Sequence, residues 1–308
     1  MKFLSVVYNP KFKASEFVLD GLELPEVSKV PLGIKKDRLS YALYGVFLAL
    51  HFFSLAFFFR YDRRTRLALK SMDEKVLFWD SCYFEEYRVI ETVLKKNQQK
   101  NVFFWNPLTR WSKDENYLRK NLERFKDRGY RFYSFDPHDA LVYHLTLLKN
   151  VNRKFPVKGD GNKQDFYFVG SSKGRGEILA HLESVLRQKG FSTLFLIIDN
   201  KAEYISLSEN IAHSAESACL VEIVSPNQTG LTLRATDALF LGKKLITNCQ
   251  TIEQTDFYNP RNIYIIRDDE LSGIEDFIRE PFEKIDDSVV NQYEINCWIK
   301  NNFLVDKA

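Results

Sequence analysis

Short apolar strands alternate with amphipathic helices along most of this 308-residue chain, and this order constrains the fold more than any other feature. In the first half, the pattern predicts strands at residues 1–8, 75–80, 101–105 and 131–135, and helices at 85–96 and 118–125. Strand–helix–strand order with short connections is typical of a parallel sheet covered by helices. We therefore predict an α/β domain over residues 1–150.

The same order begins again after residues 147–164, where periodicity is lost and Lys, Asn, Gly and Pro accumulate. Such a stretch is typical of a linker between domains. Beyond it, the pattern predicts strands at 165–169, 193–198, 220–224, 244–247 and 262–266, and helices at 178–188 and 233–241. A second α/β domain is expected over 164–285.

The length of the chain allows two domains, each with its own core. The economical fold is therefore two Rossmann-like α/β domains that face each other across a cleft, with a site in that cleft. The remaining segment, 286–308, includes Tyr293, Ile295 and Trp298, and it is predicted to be a C-terminal helix that is apolar enough to dock.

The run from Tyr41 to Phe59 has no formal charge, and its only clearly polar residues are His51 and Ser54. It is just long enough for a helix that spans a bilayer. Basic residues lie on both sides of the run, so the positive-inside rule gives no orientation. Three alternatives stay open: a buried or half-buried helix, a helix at the surface of an anionic membrane, and a transmembrane span. We expect a peripheral membrane protein.

The net charge of +3 is too small to indicate nucleic-acid binding. The four cysteines are far apart and form no CxxC or Cys/His cluster, so we expect no metal site. Widely spaced cysteines are typical of a reduced cytoplasmic protein. The apolar N-terminal stretch is too short for the core of a signal peptide. We expect the protein to stay in the cytoplasm.

A polar loop of small residues follows the strand at 165–169. The loop, which precedes a helix, reads Gly170-Ser171-Ser172-Lys173-Gly174-Arg175-Gly176. Ligands of doubly wound sheets lie beyond the carboxyl ends of the strands, and N–H groups at a helix start bind anions. Lys173 and Arg175 add positive charge that suits a diphosphate. The loop matches neither Walker A nor GxGxxG, and an ordinary turn with two solvated basic residues is the alternative.

The most specific motif lies between residues 225 and 247, where a polar loop leads into a helix that Gly242 ends. Arg234 and Asp237 are three residues apart, so they share one face near the start of this helix. A carboxylate there can accept hydrogen bonds from a ribose diol. The loop offers N–H groups to phosphates, at Gln228, Thr229 and Gly230. The alternative is a surface Arg–Asp pair of little energetic value.

Together, the two motifs resemble the donor-binding domain of GT-B glycosyltransferases, and in particular the bacterial lipopolysaccharide and surface-polysaccharide transferases. In that family, a segment of the form G-x-x-x-R-x-x-[DE]-A-L-x-x-G-K-K-[LI]-I-T follows the donor loop. This chain matches it at Gly230, Arg234, Asp237, Ala238, Leu239, Gly242, Lys243, Lys244, Leu245, Ile246 and Thr247. The resemblance covers residues 160–267 and extends weakly to 104–107 and 134–136. The size and the aromatic-rich first half are similar to those of enterobacterial core transferases, including core rhamnosyltransferases.

The resemblance implies a GT-B architecture, in which a C-terminal helix crosses back onto the N-terminal domain; a helix that only caps the second domain is the alternative. It also implies a nucleotide-diphosphate sugar as co-substrate, with Asp237 facing the ribose, although many relatives carry Glu there. The implied donor site comprises Gly170, Ser171, Ser172, Lys173, Arg175, Gln228, Thr229, Gly230, Arg234 and Asp237.

Such an enzyme needs no metal and no other cofactor, because basic residues and helix N-termini neutralise the leaving diphosphate. An inverting reaction also needs a general base, usually from the N-terminal domain. Asp136 and His138, which follow a strand, are our candidates; Asp80 and Asp139 occupy similar places. A turn at Asp136-Pro137 and a helix cap at Asp139 are the competing interpretations.

We therefore expect a metal-independent hexosyltransferase that acts on a lipopolysaccharide core or a related lipid-linked glycan. Its partners would be the nucleotide sugar, the glycan acceptor and the inner-membrane surface, with no nucleic acid. A sugar-nucleotide epimerase or a phosphosugar transferase is the enzymatic alternative. The alternative from another class is a non-catalytic partner in polysaccharide assembly, which binds a sugar nucleotide or the membrane.

Overall fold

The computed structural model describes residues 3–80, 84–110, 112–156, 161–172, 174–200, 204–224, 229–268 and 270–305. The chain divides into two units, one formed by Met1–Leu148 with Ile295–Ala308 and the other by Lys149–Glu294. Each unit contains one sheet, and the strands that pair within it are parallel. The predicted α/β class, with two parallel Rossmann-like sheets, is confirmed.

The first unit is built around a six-stranded sheet. Its strands are β1 (Leu4–Tyr8), β2 (Val27–Pro31), β3 (Lys75–Trp79), β4 (Gln99–Phe104), β5 (Tyr130–Ser134) and β6 (Thr146–Leu147). They lie in the order β2-β1-β3-β4-β5-β6. The helices of residues 1–148 are α1 (Lys13–Asp20), α2 (Arg38–Ala49), α3 (Phe53–Arg60), α4 (Arg63–Lys70), α5 (Phe84–Glu91), α6 (Glu115–Lys126) and α7 (Pro137–Val142).

The core of the first unit takes up much of the aromatic excess of this half of the sequence. Every residue of β1 is buried, because helices cover both faces of the sheet. Tyr87 packs against Phe78 and Phe125 with ring centroids 5.3 and 5.7 Å apart, and Phe125 lies 5.1 Å from Tyr130. The outermost strands, β2 and β6, were not predicted, since neither is a continuous apolar run.

The apolar run at 41–59 is not one helix, as predicted, but parts of two, α2 and α3. Helix α2 ends in a Schellman motif, with His51 in the left-handed conformation at φ 60°. The N–H groups of His51 and Phe52 donate to the carbonyls of Leu48 and Phe47, at 3.1 and 2.8 Å. This position usually belongs to glycine, so nothing in the sequence marks the break. Among the described residues, every helix is too short or too polar to traverse a lipid bilayer.

The second unit is a five-stranded sheet in the order β11-β10-β9-β7-β8. Its strands are β7 (Gln164–Gly170), β8 (Thr193–Ile197), β9 (Ser217–Glu222), β10 (Lys244–Thr247) and β11 (Ile263–Ile265). Its helices are α8 (Gly176–Gln188), α9 (Leu207–Ala215), α10 (Leu233–Leu241), α11 (Ile274–Arg279) and α12 (Asp287–Asn291). The chain enters at β7, adds β8 on one side and then β9 to β11 on the other, which creates a topological switch point between β7 and β9.

The C-terminal segment is not the single helix predicted over 286–308. After α12, the chain forms α13 (Ile295–Ile299) and then a π-helical turn over Lys300–Leu304. From Ile295 onwards it belongs to the first unit. There the buried Trp298 packs against Phe103 and Trp79, with ring centroids 4.7 and 5.8 Å apart.

Candidate functional site

The polar residues of the two sequence motifs meet at the carboxyl edge of the second sheet, around the switch point between β7 and β9. This is the place where open α/β sheets bind ligands, because loops from neighbouring strands diverge and leave a crevice. Two predicted donor-site residues, Lys173 and Gln228, lie outside the described residues. Residues 225–227 of the second motif lie outside them as well.

The loop after β7 is held close to the sheet. A Cβ atom at Gly170 would lie 3.2 Å from Nη2 of Arg175 and 3.3 Å from the Phe168 ring, so glycine permits this close approach. The N–H of Ser172 donates to a carboxylate oxygen of Asp199 at 2.8 Å, which ties the loop to the end of β8. The loop is therefore tied to the end of β8 at Ser172 and lies close to Phe168 and Arg175 at Gly170.

Arg175 stands at the start of α8 and crosses the switch point. Its Nε and Nη2 donate to the carbonyl of Ser171 at 3.3 and 3.2 Å, and Nη1 donates to the carbonyl of Ile223, just beyond β9. The guanidinium lies 5.4 Å from the centre of the Phe168 ring. Guanidinium has five N–H donors, so one N–H on each terminal nitrogen has no partner among the described residues.

Arg234, in the first turn of α10, crosses the switch point in the opposite direction. Its Nη2 donates to the carbonyl of Val169 near the end of β7, at 3.3 Å. Its Nη1 donates to Asn210 and Ser214 of α9, at 3.3 and 3.2 Å. Arg234 therefore holds α10 against β7 and α9, which is a structural task that its place in the motif did not reveal.

Glu222, the last residue of β9, is a residue of this site that sequence reasoning missed. Its carboxylate is buried and accepts hydrogen bonds from the Thr232 N–H at 2.9 Å, the Thr232 hydroxyl at 2.6 Å and the Thr247 hydroxyl at 2.7 Å. Burial raises the pKa of Glu222, while these hydrogen bonds and Arg234 act in the opposite direction. The available signal was one charged residue within the apolar strand at 220–224.

The start of α10 depends on Glu222. Thr232 is the N-cap of α10 and accepts a hydrogen bond from the Arg234 N–H at 3.1 Å, while its own N–H and hydroxyl are held by Glu222. The preceding residue pair, Thr229 and Gly230, is fixed from the far side, because the Thr251 hydroxyl donates to the Thr229 carbonyl at 2.7 Å. The stretch from Thr229 to Thr232, just before α10, is therefore anchored to the carboxyl edge of the sheet.

Asp237 lies apart from Arg234, and no ion pair joins these two described residues. Its Oδ1 accepts a hydrogen bond from the Asn152 amide at 2.8 Å, and the same amide donates to Thr236 at 3.0 Å. Desolvation raises the pKa of Asp237, while Arg234 and Asn152 act in the opposite direction. The Arg–Asp surface pair, which was the alternative interpretation, is therefore not formed.

The charged groups around the switch point include two arginines and several acids, among them Asp199 and Asp237. Arg175 and Arg234 contribute two positive charges, and the buried Glu222 is the acid that interacts electrostatically with both. Helix α8 has no side-chain N-cap, so its first N–H groups add a partial positive charge at the same edge. The arrangement can hold a phosphate or a diphosphate group against the loop after β7.

The candidate bases of the first unit have structural tasks. Asp136 is buried and caps α7, accepting the N–H groups of His138 and Asp139 at 2.9 and 3.2 Å. The cap is thus Asp136 and not Asp139, which corrects the competing interpretation. Asp139 accepts the Leu108 N–H at 2.7 Å, and burial raises its pKa to about 6 although this hydrogen bond opposes the rise. His138 is exposed.

Asp80 follows β3, at the switch point between β1 and β3. It is buried, its φ is 38°, and its carboxylate accepts a hydrogen bond from the Asn106 amide. A positive φ in a residue other than glycine is strained, and such strain is common at functional sites. The described residues contain no group of three or more His, Cys, Asp or Glu that could hold a metal ion; the metal-free reaction stays a prediction.

Comparison of the chain with protein-family models and with curated proteins finds no match. The fold and the site define an α/β protein with two parallel Rossmann-like sheets and two arginines at the carboxyl edge of the second.

Proposed function

We propose that this chain is a GT-B-type glycosyltransferase that moves a hexose, with rhamnose among the candidates, from a nucleotide-diphosphate donor onto a lipopolysaccharide core or a related lipid-linked glycan. A lipid-linked acceptor requires the enzyme to work at the cytoplasmic surface of the inner membrane, as a peripheral protein. Because many functions share this fold, the proposal depends on the site and not on the sheet order.

The observation that supports the proposal is the crossing of Arg175 and Arg234 at the switch point. Arg175 keeps one N–H on each terminal nitrogen for a ligand, beside the open N-terminus of α8. Two parallel N–H donors on a planar fork suit phosphate oxygens. A diphosphate at this edge would have its nucleoside directed towards α10.

In the proposed reaction, an acceptor hydroxyl attacks the anomeric carbon as the bond from that carbon to the diphosphate oxygen breaks. The proton passes to a base, and the electron pair leaves with the diphosphate, whose charge Arg175 and the α8 N-terminus stabilise. Oδ2 of Asp237 would accept hydrogen bonds from the ribose hydroxyls, because Oδ1 already accepts one from the Asn152 amide. Of the two candidates for the base, His138 remains, since Asp136 is committed to the helix cap.

Titration of a panel of sugar nucleotides by calorimetry tests the proposal. One donor should bind, and Arg175→Ala and Asp237→Ala should each weaken it by roughly tenfold or more, since each removes a hydrogen bond to or from a charged group. Arg187→Ala is the matched control on α8, because Arg187 lies at the other end of that helix, where its side chain donates to Glu183 and to Thr193 of β8. If no sugar nucleotide binds, the proposal is wrong.

Product analysis by mass spectrometry separates transfer from the alternatives. Incubation with the bound donor and a lipid-linked glycan should give a glycan heavier by one sugar together with the free nucleoside diphosphate. A donor that returns as its epimer indicates an epimerase, and release of the nucleoside monophosphate indicates a phosphosugar transferase. Donor binding without any product supports the non-catalytic partner.

A further inference from the structure

The hairpin formed by α2 and α3, residues 38–60, leaves much of its apolar surface in solvent; we call it the aromatic hairpin. Fully buried residues are only Ser40 in α2 and Ala56 and Phe57 in α3. Both helices and the turn carry large apolar side chains whose exposed fractions lie between 45% and 68%. They are Tyr41, Val46, Leu50, Phe52, Leu55 and Phe58. A contiguous apolar surface of this kind marks an interaction site.

The charge around the aromatic hairpin is mostly positive, although Arg60 is paired with Glu86 of α5. Residues 35–70 contain eight lysines and arginines and only two acids, Asp37 and Asp62. Both acids serve the fold, because Asp37 caps α2 and accepts the Ser40 N–H, and Asp62 caps α4 and accepts the Thr65 N–H. The surface therefore presents an excess of positive charge to any partner.

The arginines of α4 occupy positions at which a positive charge destabilises the helix. Arg63, Arg64 and Arg66 stand in the first four residues of α4, where the helix dipole disfavours cations. Arg63 and Arg64 are exposed, and the guanidinium of Arg66 lies 4.0 Å from the centre of the Phe58 ring. The amino group of Lys35 lies 4.9 Å from the same ring. Cations that border exposed aromatic rings are typical of proteins that lie on anionic membranes.

The base of the aromatic hairpin is fixed at the carboxyl edge of the first sheet. The N–H of Leu32, just beyond β2, donates to the Tyr8 carbonyl at 2.8 Å, and Asp62 N–H donates to the Gly33 carbonyl at 2.9 Å. A Cβ atom at Gly33 would collide with the Asp62 carboxylate, so only glycine allows this closure. The hairpin thus projects from the edge at which a ligand of the first unit would bind.

We propose that the aromatic hairpin docks in the plane of an anionic lipid bilayer. Phe52 and Leu50 at its turn enter the boundary between headgroups and acyl chains, and Arg63 and Arg64 bind the headgroup phosphates. The docking brings the carboxyl edge of the first sheet to the membrane surface. This assignment deepens the proposed function by naming how a lipid-linked acceptor is reached, but the binding itself requires no donor and no transfer.

Flotation with vesicles tests the docking, without any sugar nucleotide. The full chain should bind vesicles of phosphatidylethanolamine with phosphatidylglycerol and should bind vesicles of phosphatidylcholine at least tenfold more weakly. Raising the salt from 0.05 to about 0.5 M should weaken the binding, because the Debye length falls. Equal binding to the two vesicle types, or none to either, contradicts the proposal.

Paired variants locate the contact. Leu50→Ser with Phe52→Ser, and separately Arg63→Gln with Arg64→Gln, should each weaken binding to anionic vesicles by roughly 20-fold, about fivefold for each cation or exposed apolar side chain removed. The matched controls are Leu141→Ser with Ile178→Ser, which are 76% and 50% exposed elsewhere, and Lys113→Gln with Lys120→Gln. Controls that lose as much binding as the hairpin variants overturn the assignment.

Two further measurements distinguish membrane docking from a loss of donor binding and from dimerisation. Donor titration of the hairpin variants should match that of the unaltered chain, so loss of vesicle binding with donor binding intact identifies docking alone. Light scattering without lipid should show a monomer. A dimer that the Leu50→Ser, Phe52→Ser variant dissociates would mean that a second copy covers the hairpin, and it would overturn the membrane assignment.

Discussion

The guanidinium of Arg175 donates to the main-chain carbonyl of Ile223, which joins the loop after β7 to the chain just beyond β9. The two strands are neighbours in the sheet but are separated by α8, β8 and α9 in the chain. One side chain therefore closes the switch point, and in the proposed function its remaining N–H groups bind the donor. A substitution at this position should affect both stability and donor binding.

Arg175→Lys should lower the free energy of unfolding by about 1–2 kcal/mol, because one ammonium group cannot reproduce the fork that reaches both Ser171 and Ile223. Donor affinity should fall as well, although the charge is kept. Chemical denaturation and calorimetry measure the two effects, with Arg187→Lys on the same helix as the control. Stability unchanged from the unaltered chain would show that the Ile223 contact contributes nothing.

Glu222→Ala should destabilise the second unit by about 3 kcal/mol, since it leaves the Thr232 N–H and the Thr232 and Thr247 hydroxyls without their acceptor. Glu222→Gln should cost only about 1 kcal/mol, because its amide oxygen can still accept from Thr232. Denaturant unfolding gives both values. The exposed Glu177→Ala should change stability by under about 0.5 kcal/mol; a similar loss there would contradict a special role for Glu222.

Asp139 should make stability depend on pH. Burial raises its pKa from 3.8 to about 6 in the folded chain, so between these values the folded state binds more protons than the unfolded state. Its contribution is therefore fully present below pH 4 and is lost as pH rises to 6, by up to roughly 3 kcal/mol. Asp139→Asn removes the charge and keeps an acceptor for the Leu108 N–H. Unfolding of both proteins at pH 4 to 7 should show a difference that shifts in favour of the variant as pH rises, and a constant difference would refute the assignment.

Trp298→Ala should destabilise the first unit by about 3–5 kcal/mol, because it removes a buried ring from the cluster with Phe103 and Trp79. Val305→Ala is the control in the same segment, where the side chain is 54% exposed. Tryptophan fluorescence and denaturation measure the loss. If Trp298→Ala behaves like Val305→Ala, the C-terminal segment is not part of the first unit's core.

Much of the fold follows from local patterns in the sequence. The strands β3, β4 and β9 each contain a run of apolar residues, and Gly242 ends α10 as predicted. The edge strand β2 escaped prediction because only Val27 and Val30 of its five residues are buried, and their spacing of three does not match the period of two that indicates a strand. The break at His51 also escaped, since the left-handed residue is not glycine and the two Schellman hydrogen bonds depend on packing between α2 and α3.

The location of the candidate site could be predicted from the sequence, but the hydrogen-bond partners of its residues could not. Spacing identified the loops after β7 and β9, and the parallel order brings both to one edge. It did not identify Glu222, whose partners Thr232 and Thr247 lie 10 and 25 residues further along the chain. It also placed Arg234 and Asp237 together, whereas each bonds to a segment that is remote in sequence, at Val169 and Asn152.

The return of the last residues to the first unit affects the order in which the chain can fold during synthesis. Residues 149–294 form an uninterrupted unit, which can be completed while the chain is still attached to the ribosome. The first unit begins earlier but lacks Trp298 until residues 149–294 have been made, so its aromatic cluster closes after the second unit has been synthesised. A truncation after Glu294 would therefore spare the second unit and leave the first unit incomplete.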